Sequence, residues 1–357
     1  MTTLFNPCLT HAQDQQGQEN FLLLPMIGYT DEEGIGVGIN AAWVNIDGTN
    51  WTTDASAFIS SLYNYNLVNL NVQNKHLYDL LWFQGGGFVY DSTRGLFYGI
   101  GNGTDLNNVT QYSINDTFVF ARVGIRLYDE LVLGVGYSHR STGFNLGSDP
   151  SLTQYLNVYG SAPYASGATT TATEVFLQYD TRTPIFAPQE GNYGFMGLTQ
   201  AQPRSGETIA QQVFTLIGEN FFDIIGDKSL ILVSRGKFQH EWGDNIPFFL
   251  QEAIGGADSL RGFYTNRYAD AVSTVINEEG RYTFWTPGAT WMQRLEVSMA
   301  FELGEVSTYS TLPPFGGYHT DWDVGLTGLL EGGVPIRLDY AWSPESDLIY
   351  LHLFYPF

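Results

Sequence analysis

The residue types that could do chemistry are few and scattered. The six histidines, His11, His76, His139, His240, His319 and His352, form no His-Glu-x-x-His pattern and no ligand cluster, so no metal site is expected. His319, Asp321 and Asp323 could form an acid/base group on an outer rim, but the plainer reading is that they decorate a loop. Asp258-Ser259-Leu260 places a serine beside an acid without the Gly-x-Ser-x-Gly turn that exposes a nucleophile. Gly99-Ile100-Gly101-Asn102-Gly103 spaces its glycines at every second residue and opens no helix, which suits a strand end running into a turn better than a dinucleotide site. Cys8 is the single cysteine, so neither a disulfide nor a thiolate metal site can form within the chain. No enzyme activity, metal or cofactor is expected.

Paired opposite charges are more informative. Arg261 lies in the glycine-containing stretch Gly255-Gly256-Ala257-Asp258-Ser259-Leu260-Arg261-Gly262-Phe263, within a long connection that follows the apolar run Leu230 to Val233. Around residues 276–282, alternation places Asn277, Glu279 and Arg281 on one strand face. In the next strand Glu296, Ser298, Ala300, Glu302 and Gly304 oppose Leu295, Val297, Met299, Phe301 and Leu303. A third group, Tyr179-Asp180-Thr181-Arg182 followed by Pro188 and Gly191, reads as a strand ending in a hairpin whose reversal is set by proline and glycine.

The elements that must position these residues are strands. Val123, Ile125 and Leu127 alternate with Arg122, Gly124 and Arg126, and after Tyr128-Asp129-Glu130 the pattern resumes with Leu131, Leu133, Val135 and Tyr137. Ile336, Leu338, Tyr340 and Trp342 alternate with Arg337, Asp339 and Ala341, and a last strand runs from Leu348 to Phe357. Asp31-Glu32-Glu33-Gly34 reads as a hairpin turn. The small or polar face of these strands is rich in glycine, as a crowded lumen requires. Trp43, Tyr137, Tyr340, Trp342 and Tyr355 are expected at strand ends, where an aromatic girdle would sit. Connections fall into short turns and long polar segments such as Thr142 to Thr171, the asymmetry of a membrane barrel.

Composition agrees. The chain has 357 residues, 15% of them charged against the ~25% usual for soluble domains, and 15% aromatic. With 37 acidic and 15 basic side chains, a net charge of -22 and no basic cluster, it is not expected to bind nucleic acid. No stretch approaches the ~20 apolar residues of a membrane helix, whereas barrel strands need only ~10 residues, every second one apolar. From Phe21 to Phe357, at ~10 residues per strand and a similar allowance per connection, about 16 strands follow. The expectation is an all-β fold: a single antiparallel transmembrane barrel over residues 21–357, preceded by residues 1–20 as a flexible leader or remnant of an export signal.

The segment around Leu260-Arg261-Gly262-Phe263 resembles the signature loop of the BamA/TamA-type outer-membrane barrel superfamily, the bacterial surface antigen family. Asn277, Glu279 and Arg281 resemble that family's Asn-x-Glu-x-Arg strand, and Glu302-Leu303-Gly304 stands where the family has Asp-x-Gly, with an acid one methylene longer. Asp180-Thr181-Arg182, Pro188 and Gly191 resemble its hairpin motif. Phe357, with Tyr355 and Leu353 at alternate positions, resembles the terminal strand signal read by the barrel-assembly machinery.

The resemblance implies a sixth extracellular loop folded into the barrel and Arg261 locked to Glu279 and Glu302. It implies a member lacking POTRA domains, since only about twenty residues precede the first strand, too few for even a small domain. It further implies a bacterial outer-membrane location, lipid contact, and protein or lipid insertion or translocation through a weakly paired seam. A protein client and a homo-oligomer are compatible with it. The alternative is a passive or plugged pore, or a structural barrel.

Overall fold

The computed structural model describes residues 20–355 apart from single residues and short stretches in the connections, the longest being 146–166, 309–316 and 204–209. Residues 1–19 and Phe357 lie outside the described residues, and with them most of the expected leader and the terminal phenylalanine.

Sixteen strands close into one antiparallel barrel. In chain order they begin with β1 (Asn20–Thr30), β2 (Gly34–Val44), β3 (Trp51–Ser60), β4 (Asn66–Leu77), β5 (Leu81–Phe97), β6 (Thr110–Tyr128), β7 (Leu131–Asn145) and β8 (Gly167–Asp180). They continue with β9 (Gly191–Pro203), β10 (Ala210–Asp223), β11 (Leu230–Asp244), β14 (Val272–Trp285), β15 (Met292–Ser307), β16 (His319–Leu330), β17 (Pro335–Trp342) and β18 (Asp347–Leu353). The short pair β12 (Glu252–Ile254) and β13 (Tyr268–Asp270) lies within the β11–β14 connection and forms a sheet of its own. Connections on one rim include residues 98–109, 146–166, 245–271 and 308–318; those on the other are shorter, the longest being 181–190.

The distribution of side chains is inverted relative to a water-soluble protein. Phe21, Ile35, Val119, Val123, Ile125, Val135 and Leu198 are exposed on the outside, while the largest fully buried side chains are Arg261, Arg267 and Arg337. An apolar outer belt around a charged interior is what a lipid-facing barrel requires, because each strand turns alternate residues to lipid and lumen. On β15 the expected division holds: Glu296, Ser298, Ala300 and Glu302 are buried, whereas Val297 and Met299 are exposed. Inward glycines make room for rings, as at Gly134, where a Cβ would come within 2.4 Å of the Phe176 ring.

Closure is uneven. β1 matches β2 along its whole length, from Asn20↔Val44 to Thr30↔Gly34, whereas among the described residues it is paired with β18 at Tyr29↔Leu351 and Thr30↔Tyr350. Pro25 lies in the stretch of β1 outside those two pairs.

Two girdle expectations fail. Tyr137 is exposed but sits in the middle of β7, because that strand continues to Asn145 and takes in residues read as loop. Tyr355 lies beyond the end of β18 and is buried, with its hydroxyl donating to Glu296. A hydroxyl with a carboxylate partner inside gains a charge-assisted hydrogen bond that lipid cannot offer.

The inverted side-chain distribution has a direct test. Val135→Arg, on the outward face of β7, is expected to lower unfolding free energy in phospholipid bilayers by about 2–4 kcal/mol, measured by denaturant titration. Ser138→Arg, on the opposite face of the same strand, is expected to change it by less.

Candidate functional site

The site is assembled from the β11–β14 connection and the inner faces of β14 to β18. Antiparallel pairing sets Asn277 opposite Glu302, Glu302 opposite Asp321, and Ala300 opposite Asp323. Continuing around the wall, Gly325 stands opposite Asp339, Thr327 opposite Arg337, and Arg337 opposite His352. Because these residues lie on inward faces of neighbouring strands, their side chains converge on one patch.

Arg261 lies on that patch with 0% of its surface exposed. Its Nε donates to Glu302 Oε1 at 2.8 Å, and its backbone N–H donates to Glu302 Oε2 at 2.6 Å. Both terminal nitrogens donate to Glu279 Oε2 at 3.1 Å, and Nη1 is 3.0 Å from Asp323 Oδ1. Burial opposes the charge, but Glu302, Asp323, Glu279 and Asp339 surround the guanidinium and hold its pKa well above the ordinary arginine range. The structure brings together the three residues that the family resemblance implies as partners, Arg261, Glu279 and Glu302. The longer acid at position 302 reaches the guanidinium and the Arg261 backbone at once.

The cluster extends further than the sequence reading. Arg337 donates through Nη1 and Nη2 to the two oxygens of Glu279, at 2.8 and 2.9 Å, and through Nε to Asp339 at 2.7 Å. Arg281 donates from Nε to Glu279 at 2.5 Å while its guanidinium lies 3.7 Å from the centre of the Tyr355 ring. Asn277 bridges Glu302 at 2.9 Å and the Ser259 carbonyl at 2.6 Å. Asp321 accepts from the Gly262 N–H at 3.1 Å. Three guanidiniums thus sit among five carboxylates, those of Glu279, Glu302, Asp321, Asp323 and Asp339.

Reading Asp321 and Asp323 as loop decoration is incorrect. Both belong to β16 and are buried in this cluster, and only His319 stands at the strand's first position, stacked on Tyr268 at 3.8 Å. Arg337, Asp339 and Arg267 were not singled out. The first two carried a legible signal, opposite charges two residues apart on the minority face of an alternating strand.

The glycines flanking Arg261 have separate duties. A Cβ at Gly262 would come within 2.6 Å of Asp321 Cβ and 2.9 Å of the Trp342 carbonyl carbon, so only glycine allows this approach to the wall. Gly255 and Gly256 have φ of 109° and 95°, in the region that favours glycine. Leu260 and Phe263 pack in an apolar cluster with Ile254, Tyr268, Val275 and Val306.

Further bonds tie the connection to the β17–β18 hairpin. The Tyr350 hydroxyl donates to the Arg261 carbonyl at 3.0 Å, and the Ser346 hydroxyl to the Gly262 carbonyl at 2.7 Å. Arg267 donates to both oxygens of Glu345, at 2.6 and 2.9 Å, and to Thr104 Oγ1 and carbonyl at 2.8 and 2.7 Å.

The hairpin residues assemble a separate cluster. Arg182 donates to Asp180 at 3.0 Å and to Glu219 at 2.7 Å, and Gly191 has a φ of 101°. Pro188 is half-buried, next to Ala187, which packs with Leu329 and Tyr355. Leu353 ends β18. Among the described residues, no group of His, Cys, Asp and Glu is arranged to hold a metal ion.

Against known proteins, the Omp85 superfamily domain matches residues 45–357. The chain belongs to the Omp85 superfamily. It is an outer-membrane β-barrel. Its fold is similar to that of BamA from Haemophilus ducreyi lacking POTRA domains 1–3, with a TM-score of 0.63 and 12% identity over 94% of this chain and 71% of that one. CdiB from Escherichia coli gives 0.61 and 13% over 93% of this chain, and CdiB from Acinetobacter baumannii 0.58 and 12% over 95%. The chain spans 62% and 60% of the lengths of these two CdiB structures. No curated protein matches it in sequence.

Removing the guanidinium would leave two arginines facing five buried carboxylates. Arg261→Ala is expected to destabilise the Omp85 barrel by about 3–5 kcal/mol in denaturant titrations and to open residues 254–268 to protease. Arg261→Lys is expected to recover only part of this, because an ammonium cannot reproduce the planar fork.

Proposed function

We propose that this Omp85 barrel is an insertion or translocation barrel whose β11–β14 connection acts as an inward-folded sixth loop, locked to the wall by Arg261, Glu279 and Glu302. The observation that carries this reading is the contrast at the seam. Among the described residues β18 shares two residue pairs with β1, yet its hairpin is bonded to the loop through Tyr350, Ser346 and Glu345. Among the described residues the β17–β18 ladder has seven pairs against two for β1–β18, so parting the seam sacrifices fewer ladder hydrogen bonds than parting β18 from β17. An open seam exposes backbone donors and acceptors to which an incoming strand can pair.

The chemistry required is non-covalent. A client strand exchanges backbone hydrogen bonds with β1 or β18, and no residue acts as acid, base or nucleophile. Clients of this kind are membrane-bound polypeptides; the outer-membrane lipids at the seam and the barrel-assembly machinery during biogenesis are the other partners. A second reading, a passive or plugged pore, is favoured by a cavity of about 320 Å³ inside the barrel.

The two readings separate in proteoliposomes. With Cys8 replaced by serine, cysteines at Tyr29 and Leu351 can seal the seam. The proposal predicts that the reduced protein accelerates folding of an added eight-stranded outer-membrane barrel several-fold, and that sealing abolishes the acceleration. It also predicts low, fluctuating conductance in planar bilayers that changes on Arg261→Ala. Equal acceleration with the seam sealed contradicts it, and a large, steady conductance indifferent to Arg261→Ala establishes the pore.

A further inference from the structure

The cavity inside the barrel lies between the inner faces of β4 to β11 and the β11–β14 connection, which contributes Leu250, Glu252 and Asp258; none of the Arg261 cluster residues lines the cavity. Its volume of about 320 Å³ falls at the lower end of the ~300–1,000 Å³ typical of small-molecule sites. Its lining is rich in charge of both signs. Five cations line it, Arg122, Arg140, Arg182, Arg235 and Lys237, against the four carboxylates of Glu174, Glu219, Glu252 and Asp258, and Asp116 and Asp180 behind Arg140 and Arg182 add two more carboxylates.

Four of the cations are accounted for by partners. Arg122 is held by Glu174 at 2.6 Å and Arg140 by Asp116 at 2.6 Å. Arg182 is held by Asp180 and Glu219, and Arg235 also faces Glu219, at 3.5 Å. Lys237 differs. It is 8% exposed and points inward from β11, and it makes no hydrogen bond or ion pair among the described residues; Glu252 and Asp258 act on it only at longer range. Its side chain is largely buried while the ammonium itself opens onto the cavity, so an anion entering the cavity could pair with it.

One step along the same face, Gln239 gives its amide N–H to Thr215 at 3.3 Å, leaving its buried carbonyl oxygen without a donor among the described residues. An unpaired ammonium and an unpaired amide oxygen on neighbouring inward positions call for a ligand with an acidic group beside a hydroxyl. Phe88, Phe118 and Phe120 line the same space and offer ring faces to C–H groups.

We infer that this cavity is a binding site for a small hydroxylated organic anion, with the size and chemistry of an acidic monosaccharide, its carboxylate at Lys237 and a hydroxyl donating to Gln239. The inference is independent of seam opening.

Calorimetric titration of the purified, detergent-solubilised chain tests it, with D-galacturonate, D-galactose and inorganic phosphate as probes. Galacturonate is expected to bind saturably and galactose at least tenfold more weakly. Lys237→Met is expected to weaken galacturonate at least tenfold, with Lys237→Arg retaining most of the affinity. Gln239→Leu, which keeps the charge, is expected to weaken galacturonate and galactose alike, so the test survives if Lys237→Met does not fold. Phosphate binding as tightly as galacturonate would overturn the sugar assignment. Absence of saturable galacturonate binding, equal binding of galactose, or affinity unchanged by these substitutions would overturn the site.

Discussion

A guanidinium removed from water must be surrounded by carboxylates, and the geometry of this barrel's β14–β18 wall follows from that requirement. Arg261 reaches four acids on four strands, Glu279, Glu302, Asp323 and Asp339. Those acids stand together only if β14 to β17 keep their register, since a one-residue slip would turn an acid toward lipid. Glu279 is also held by Arg281 and Arg337, so the acids around Arg261 are themselves oriented by other cations. Shape serves the same end: glycine at 262 lets the backbone touch the wall, and Leu260 and Phe263 pack in a buried apolar cluster beside it.

Much of this was legible because a barrel strand has a period of two. Alternation alone separated Glu296, Ser298 and Glu302 from Val297 and Met299, and strand arithmetic reached sixteen. The family resemblance, not spacing or periodicity, joined Arg261 to Glu279 and Glu302. What escaped depends on which strands become neighbours and where a strand ends. Asp321 and Asp323 looked like loop residues because β16 begins at His319, directly after a connection, and nothing local marks that boundary. Arg337 and Asp339 stood on the correct face, but their meeting with Glu279 crosses two intervening strands. Tyr355 is expected in the girdle as a strand-end aromatic, but β18 ends at Leu353 and the ring two residues on turns inward.

In the function proposed above, loop and seam act as one mechanical unit. Among the described residues β18 shares two pairs with β1 on one edge and seven with β17 on the other, and the connection that carries Arg261 bonds to the hairpin through Tyr350. Arg267 adds a second attachment nearer the rim, joining that connection to Thr104 and Glu345. On that proposal, a wall from β14 to β17 held by the Arg261 cluster would concentrate any opening at the β1–β18 closure, because stability is lowest where backbone pairing is fewest.

The most direct measurement is a double-mutant cycle between Arg261 and Glu302, using Arg261→Ala, Glu302→Gln and the pair, with unfolding free energies read in phospholipid vesicles. Buried partners in one network should show a coupling above ~1 kcal/mol, the double variant losing much less than the sum of the single losses. Additivity within ~0.5 kcal/mol would mean that the two groups do not depend on one another, and the account of a wall organised around this guanidinium would be wrong.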